Sequence, residues 1–230
     1  MVERERLRRL VTQLTEVVFP PRCAGCGLRG RWVCAECLQQ TPLFGDPRCD
    51  LCSMPMVGSG CDCRELPESV ERLWAAGPYD GWLREAVHDF KFRGETARST
   101  SLAGYLEEAC QAFGTTATLV PVPMHRSRKR ERGYDQAAIL VRAIGKATGQ
   151  PMCELLVKER ATPAQVGLTA AARSLNLIEA FAVRPGVPIP DAVILVDDVA
   201  TTGSTLTECA RVLRKAGASS VSAVVIAHGL

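Results

Sequence analysis

No apolar run in the 230 residues approaches the length of a membrane span, which argues against an integral membrane protein. The first residues, Met1-Val2-Glu3-Arg4-Glu5-Arg6, lack the apolar core of an export signal, so a cytoplasmic location is expected. Charge imbalance is also missing: a net +3 implies no nucleic-acid partner by itself, and any such role must rest on local clustering. Neither G-x-x-x-x-G-K-[ST] nor G-x-G-x-x-G occurs, and Gly145-Lys146-Ala147-Thr148 is only a fragment of the first. With 47% apolar and 23% charged residues, the chain suits one sizeable α/β core plus a small appendage.

Cysteine is what the chain has in excess, and it is unevenly placed. Eight of eleven cysteines precede residue 64, as Cys23-x2-Cys26, Cys34-x2-Cys37, Cys49-x2-Cys52 and Cys61-x-Cys63. Eight thiolates make two tetrahedral zinc sites of four cysteines each. Pairing in order gives two ribbons, Cys23/26/34/37 and Cys49/52/61/63, with a cross-braced arrangement as the alternative. Four disulfides in a secreted domain is the rival reading, opposed by the paired knuckles and the missing export signal. Residues 20–63 have few aliphatics, so metal must supply what the core does not; structural zinc contributes on the order of 10–16 kcal/mol. Four thiolates leave no open position for catalysis, so scaffolding is the expected role, with a nucleic-acid or protein contact as the alternative. Ahead of this segment, Leu7, Leu10, Val11, Leu14, Val17 and Val18 fall on one face of an amphipathic helix over 1–19, ended by Pro20-Pro21.

Residues 64–72 form a polar joint, and 73–230 have the composition of an α/β domain. Near its end Val193-Ile194-Leu195-Val196 reads as a strand buried on both faces of a parallel sheet. Asp197-Asp198, a hydroxyl-rich turn Thr201-Thr202-Gly203-Ser204-Thr205 and a helix over 204–216 follow. The helix carries Leu206, Ala210, Leu213 and Ala216 near one face, and Gly217 stops it. Backbone N–H groups at the helix start can cradle a phosphate, Gly203 lets the backbone come close, and a carboxylate pair accepts hydrogen bonds from vicinal hydroxyls. Both carboxylates can serve one ligand only where the chain leaves the sheet, because side chains on a continuing strand alternate between faces. An ordinary βα turn that merely caps its helix is the competing reading. The thirteen residues from Val193 to Thr205 resemble the phosphoribosyl pyrophosphate (PRPP) loop of type I phosphoribosyltransferases. That resemblance implies Asp197 and Asp198 on the ribose hydroxyls, Thr201, Thr202, Gly203, Ser204 and Thr205 on the 5′-phosphate, and magnesium bridging ribose and pyrophosphate.

Upstream, Leu73–Tyr79 reads as a strand, with helices over 82–91 and 100–113 and a cationic loop, Phe90-Lys91-Phe92-Arg93-Gly94, between them. Leu119 to Pro123 is a strand followed by a dense basic stretch in which five of the eight residues from His125 to Arg132 are Lys or Arg. Such a stretch suits a pyrophosphate clamp, in which Arg126 and Arg132 are candidates with Lys91, or a track for a nucleic-acid backbone through Arg128, Lys129 and Arg130, or only a solvated face. A helix over 136–148 buries Ala137, Leu140, Val141 and Ile144. The strands 155–160 and 180–183 enclose a polar excursion that reads as a flap over a charged ligand, with Arg160 and Arg173 as anion contacts, or as a plain hairpin.

Taken together these motifs resemble the ComF family (ComFC, competence protein F). The resemblance rests on the Cys pairs after Phe19-Pro20-Pro21, on Phe90-Lys91-Phe92-Arg93-Gly94, Val120-Pro121-Val122-Pro123 and Arg132-Gly133-Tyr134-Asp135-Gln136. It continues through Gln165, Arg173 and Asn176 to the PRPP loop; Tyr134-Asp135 stands where Phe-Asn is usual. It implies a type I phosphoribosyltransferase-like parallel sheet with flanking helices behind a small double zinc ribbon. It also implies a role with single-stranded DNA and other competence proteins in natural transformation. Two functions remain open: a PRPP-dependent transferase with an unspecified acceptor, and a nucleic-acid-handling protein that keeps the pocket for binding or sensing. Neither the acceptor nor the oligomeric state is legible in the chain.

Overall fold

The computed structural model describes residues 20–41, 43–56, 60–61, 63–64, 66–160 and 180–229. The helix expected over 1–19 and the excursion carrying Gln165, Arg173 and Asn176 lie outside the described residues. In chain order the elements are α1 (Ala35–Gln40), β1 (Leu73–Pro78), α2 (Gly81–Phe92), a 3-10 turn (Thr96–Arg98), α3 (Ser99–Gly104) and α4 (Glu107–Ala112). They continue with β2 (Thr118–Pro121), α5 (Arg126–Arg132), α6 (Gln136–Thr148), β3 (Leu156–Lys158), β4 (Phe181–Val183), β5 (Ala192–Ala200), α7 (Ser204–Lys215) and β6 (Ser220–His228).

Four strands form a parallel sheet in the order β1-β6-β5-β2. Val193 to Val196 and Val221 to Ala227 are buried throughout, as strands covered on both faces must be. Because every strand runs the same way, all four carboxyl ends lie on one edge. A separate antiparallel pair, β3 with β4, packs beside that sheet.

The two cysteine clusters are distributed over both faces. Cys49 and Cys52 share a core with Leu195, Val225, α7 and Phe181, whereas Cys23, Cys34 and Cys37 share one with Ile194, Val224, α2 and α6. Each ribbon therefore docks on its own side of the sheet. Backbone contacts fasten them: Phe44 N–H donates to the Ala76 carbonyl (2.9 Å), Leu73 N–H to the Leu51 carbonyl (2.7 Å), and the Trp82 indole to the Thr41 carbonyl (2.8 Å). The polar joint is packed as well, with Val70 buried and Glu71 accepting from Ser220 Oγ and from Arg214, both at 2.7 Å.

One guanidinium ties the first ribbon to the domain. Arg98, 2% exposed, donates to the carbonyls of Trp32 (3.2 Å) and Arg22 (3.4 Å), pairs with Asp89 and Glu95, and lies over the Trp32 ring at 4.5 Å. A buried guanidinium is tolerable only with such an acceptor set.

Several expectations need correction. Phe90-Lys91-Phe92 is not a loop but the last turn of α2: Phe90 is wholly buried, and only Arg93 and Gly94 (φ +71°) leave the helix. The helix expected over 100–113 is two, α3 and α4, divided after Gly104 where Tyr105 and Leu106 tighten into i→i+3 bonds; glycine's low helix propensity favours that break. Ala216 is an exposed C-cap, and Cys209 takes the buried position on α7 in its place. The stretch read only as basic sequence is a helix, α5, capped by His125 accepting from Ser127 N–H (3.2 Å) and ended by Gly133 at φ +83°.

Arg98→Ala is expected to destabilise the protein by roughly 3–5 kcal/mol, because it empties a buried site and leaves the Trp32 and Arg22 carbonyls without its donors, Asp89 keeping only Arg93 at 2.9 Å. Urea unfolding measures this; a loss below about 1 kcal/mol, the scale of an exposed pair, would contradict the clamp.

Candidate functional site

β5 does not leave the sheet at its two acids. It runs on to Ala200, and Asp197 is in register with Val225 of β6, so the expectation that the chain departs there is corrected. The two carboxylates nevertheless act on one cation. Asp197 Oδ1 turns back to accept from the Asp198 N–H at 2.8 Å, which draws its head group along the strand and away from strict alternation. Asp198, 3% exposed, binds Lys91 Nζ through Oδ1 at 2.8 Å. Lys91 extends from the end of α2, and Asp197 adds to the field it feels. Burial alone would lower the Lys91 pKa; the Asp198 charge, with Asp197 behind it, more than offsets this and holds it above the ordinary lysine value. Burial, and then the neighbouring Asp198 charge, push Asp197 well above the usual carboxylate range. Asp198 Oδ2 is buried with no hydrogen-bond partner among the described residues, so a lone-pair set remains for a hydroxyl or a hard cation.

The bend beyond Ala200 is open to solvent, with Thr201 and Thr202 exposed. Gly203 occupies the left-handed region at φ +67°, and a Cβ there would stand 2.7 Å from Pro67 Cγ. The close approach that demands glycine is therefore made by Pro67, on the segment following the second ribbon, rather than by a ligand. No side chain caps α7; the Thr202 and Ser204 hydroxyls lie 2.9 Å from each other. Ser204 and Thr205 stand in its first turn, where N–H groups and the dipole favour an anion.

The basic candidates divide by position. Arg126 and Lys129 line an open cleft of about 360 Å³ between the end of β2, α5 and β3, which Leu156, Lys158 and Arg184 also line. Lys129 is 3.9 Å from Asp135, whose pKa burial raises. Arg132 lies on the other side of α5: it donates to Gln136 Oε1 at 2.7 Å and stacks over Phe92 at 5.0 Å. Arg128 and Arg130 are exposed on α5, Arg160 is exposed beyond β3, and Arg173 lies outside the described residues. Lys158 was not singled out from the sequence, although it joins cleft to carboxylates. Its pKa is depressed by burial and then by Arg128, with Asp197 acting in the opposite sense. Its single signal was a charge set inside a short apolar strand, Leu156-Val157-Lys158.

The eight N-terminal thiols fall into two groups, Cys23/26/34/37 and Cys49/52/61/63, with the Sγ atoms of each within 4.8 Å of one another. This is the in-order pairing; the cross-braced alternative and the disulfide reading both fall, all eleven cysteines being free. Sγ separations of 3.6 Å (Cys26–Cys34), 3.5 Å (Cys49–Cys63) and 3.4 Å (Cys52–Cys61) approach the edge of about 3.8 Å expected of a tetrahedral zinc tetrathiolate. In the first cluster burial opposes ionisation, but backbone N–H groups of Cys26, Cys34 and Gly25 bring Cys23 down to about 6. In the second, the Cys52 N–H leads in lowering Cys49 to about 7. Crowding has the reverse effect on their neighbours: burial first, then adjacent sulfurs, raises Cys37 to about 12. Four thiolates so close require a dication, and both clusters fit structural zinc.

Residues 14–67 match the double zinc ribbon domain and residues 137–229 the phosphoribosyl transferase domain. Competence protein F of Haemophilus influenzae is 32% identical over 219 residues, covering 88% of this chain and 95% of that protein. DNA utilization protein YhgH of Escherichia coli is 30% identical, covering 84% and 88%, and competence protein ComFC of Streptococcus pneumoniae is 26% identical, covering 82% and 84%. Among solved structures, a hypoxanthine phosphoribosyltransferase from Staphylococcus aureus aligns with 56% of this chain and 62% of its own, at 14% identity and a TM-score of 0.34.

Two outcomes are expected. Elemental analysis should find two zinc ions per chain, and Cys49→Ser should lose one while retaining the other; a single ion in the wild type would refute the paired clusters. Asp197→Asn should stabilise the ligand-free protein. A carboxyl whose native pKa is raised costs nothing below about pH 4 and penalises folding increasingly as pH climbs towards that native value, so the gain should grow with pH. Asp198→Asn, which strips Lys91 of its partner, should instead cost on the order of 3 kcal/mol. Equal effects in thermal unfolding at pH 7 would contradict this asymmetry.

Proposed function

The chain belongs to the ComF family, a double zinc ribbon joined to a phosphoribosyltransferase-like domain, and from that premise we propose that it binds magnesium-PRPP at the carboxyl end of β5 and handles single-stranded DNA during uptake. The observation that carries the ligand is the buried Asp198 with a spare oxygen, beside Asp197 and an exposed, uncapped Thr201–Thr202 bend. Vicinal ribose hydroxyls are donors and satisfy both carboxylates; a 5′-phosphate is an acceptor and satisfies the N–H groups of the bend and of the first turn of α7. Lys91 neutralises the pair in the free protein and holds the Asp198 head group in place for the sugar. Magnesium, when present with PRPP, would screen the phosphate charge, and the oxygens of Asp197 and Asp198 are the hard donors it favours. Arg126 and Lys129 face the cleft from α5 and would meet the pyrophosphate end, where a guanidinium fork suits phosphate oxygens. A cytoplasmic location and association with other competence proteins accompany this reading.

A second reading, an active phosphoribosyltransferase with an unspecified acceptor, draws on the open cleft beside Lys158, whose volume of about 360 Å³ has room for an acceptor group. Catalysis there would consist of positioning and stabilising the leaving group.

Calorimetry with magnesium-PRPP is expected to detect binding by the wild type and none by the Asp197→Asn, Asp198→Asn double variant, with zinc content unchanged. Wild-type affinity in that variant would overturn the ribose assignment. Pyrophosphate release above background with a mixture of acceptors would select the transferase.

A further inference from the structure

The basic helix and the first zinc ribbon are connected across the surface by the end of α2. α5 contributes no buried residue, and Arg126 to Glu131 are all exposed. At its C-terminal end Arg132 stacks over Phe92, which is 64% exposed and is flanked on its own helix by His88, ring centroids 5.0 Å apart. The Tyr134 hydroxyl donates to the Phe90 carbonyl, fixing the α5–α6 corner against this turn. Two residues past Phe92, Gly94 enters the wall of a second groove, of about 510 Å³, whose opposite wall is the ribbon: Pro21, Arg22, Arg29 and Trp32. Arg22 and Arg29 are exposed and held side by side by an antiparallel bridge, while Trp32 is half-buried on Arg98. An apolar ring 64% exposed on a helix terminus, touched by Arg132 and His88 and set between two groups of arginines, has the chemistry of a stacking platform.

We propose that one single strand of nucleic acid follows this strip, from α5 over Phe92 and across the groove to Arg22, Arg29 and Trp32, so that the zinc ribbon and the phosphoribosyltransferase-like domain hold the same strand. This rests on the single-strand half of the reading above and assigns its path. Bases stack on Phe92 and on the face of Trp32 turned away from Arg98, and phosphates lie against the cations of α5 and of the ribbon, the combination that sequence-tolerant single-strand binding uses.

The test uses the full zinc-loaded chain and a labelled oligothymidylate of about 16 nucleotides, followed by anisotropy across a salt series. Phe92→Ala should weaken binding about five- to a hundred-fold without changing the salt slope, because it removes stacking and no charge. Arg22→Ala with Arg29→Ala should lower the slope of log K against log salt by about 1.4, two single-strand phosphate contacts. All three side chains are exposed, so zinc content and thermal midpoint should match the wild type. Oligothymidylate bound as tightly by Phe92→Ala and by the double variant as by the wild type overturns the path while leaving single-strand binding intact. No binding by the wild type overturns the path together with the nucleic-acid half of the proposed function. Displacement by polyglutamate of equal charge as readily as by oligonucleotide also overturns it, because the strip would then be a surface for acidic protein.

Discussion

Two adjacent carboxylates at the end of a strand paired on both sides set the terms for the rest of the domain. Charge in that position is tolerated only with a counter-charge, and the chain provides one from a distant segment: Lys91, on a helix that starts beside the carboxyl end of an edge strand. Capping of that helix by Asp80, burial of Phe90 and the C-terminal turn at Gly94 all serve to deliver one ammonium group to one carboxylate. The balance is incomplete, since Asp197 keeps an elevated pKa and Asp198 an unpartnered oxygen. Unspent electrostatic capacity of this kind, buried beside a solvent-exposed bend, costs stability and is the kind of arrangement that concentrates at functional sites.

The zinc ribbons belong to the same physical unit as the sheet. Their aliphatic content is too small for independent cores, and the structure resolves this by placing one cluster on each face, where cysteines complete the hydrophobic layers that helices leave unfinished. Part of the remaining polar cost falls on Arg98, which donates to the ribbon carbonyls of Arg22 and Trp32. Metal thus fixes the local shape of each ribbon, and the domain fixes where that shape sits.

Much of this was legible in the chain because its signals were short-range. A four-residue apolar run, an acid pair and a glycine bend locate β5 and α7; knuckle spacing gives both zinc clusters; the apolar period of residues 136–148 gives α6. What escaped were effects that depend on partners far away in sequence. Lys91 looked like a loop cation because nothing local reveals that Phe90 is a core residue, and the brace behind Gly203 was hidden because Pro67 is more than a hundred residues upstream. Lys158 was missed for the same reason: its place in the cleft with Arg126 and Lys129 depends on α5, more than twenty residues away. Arg98 carried no local pattern at all.

The contact between Pro67 and Gly203 has a consequence for affinity. A glycine bend left to itself samples many shapes, and a ligand that needs one of them must supply the entropy of selecting it. Here a rigid pyrrolidine ring presses on the bend from behind, so the selection is made when the chain folds. The bend is thereby preorganised before any ligand arrives, and its ordering entropy is spent in folding. The brace comes from the stretch that follows the second cysteine cluster, which packs in the same core as α7, so the shape of the bend depends on how that cluster is held.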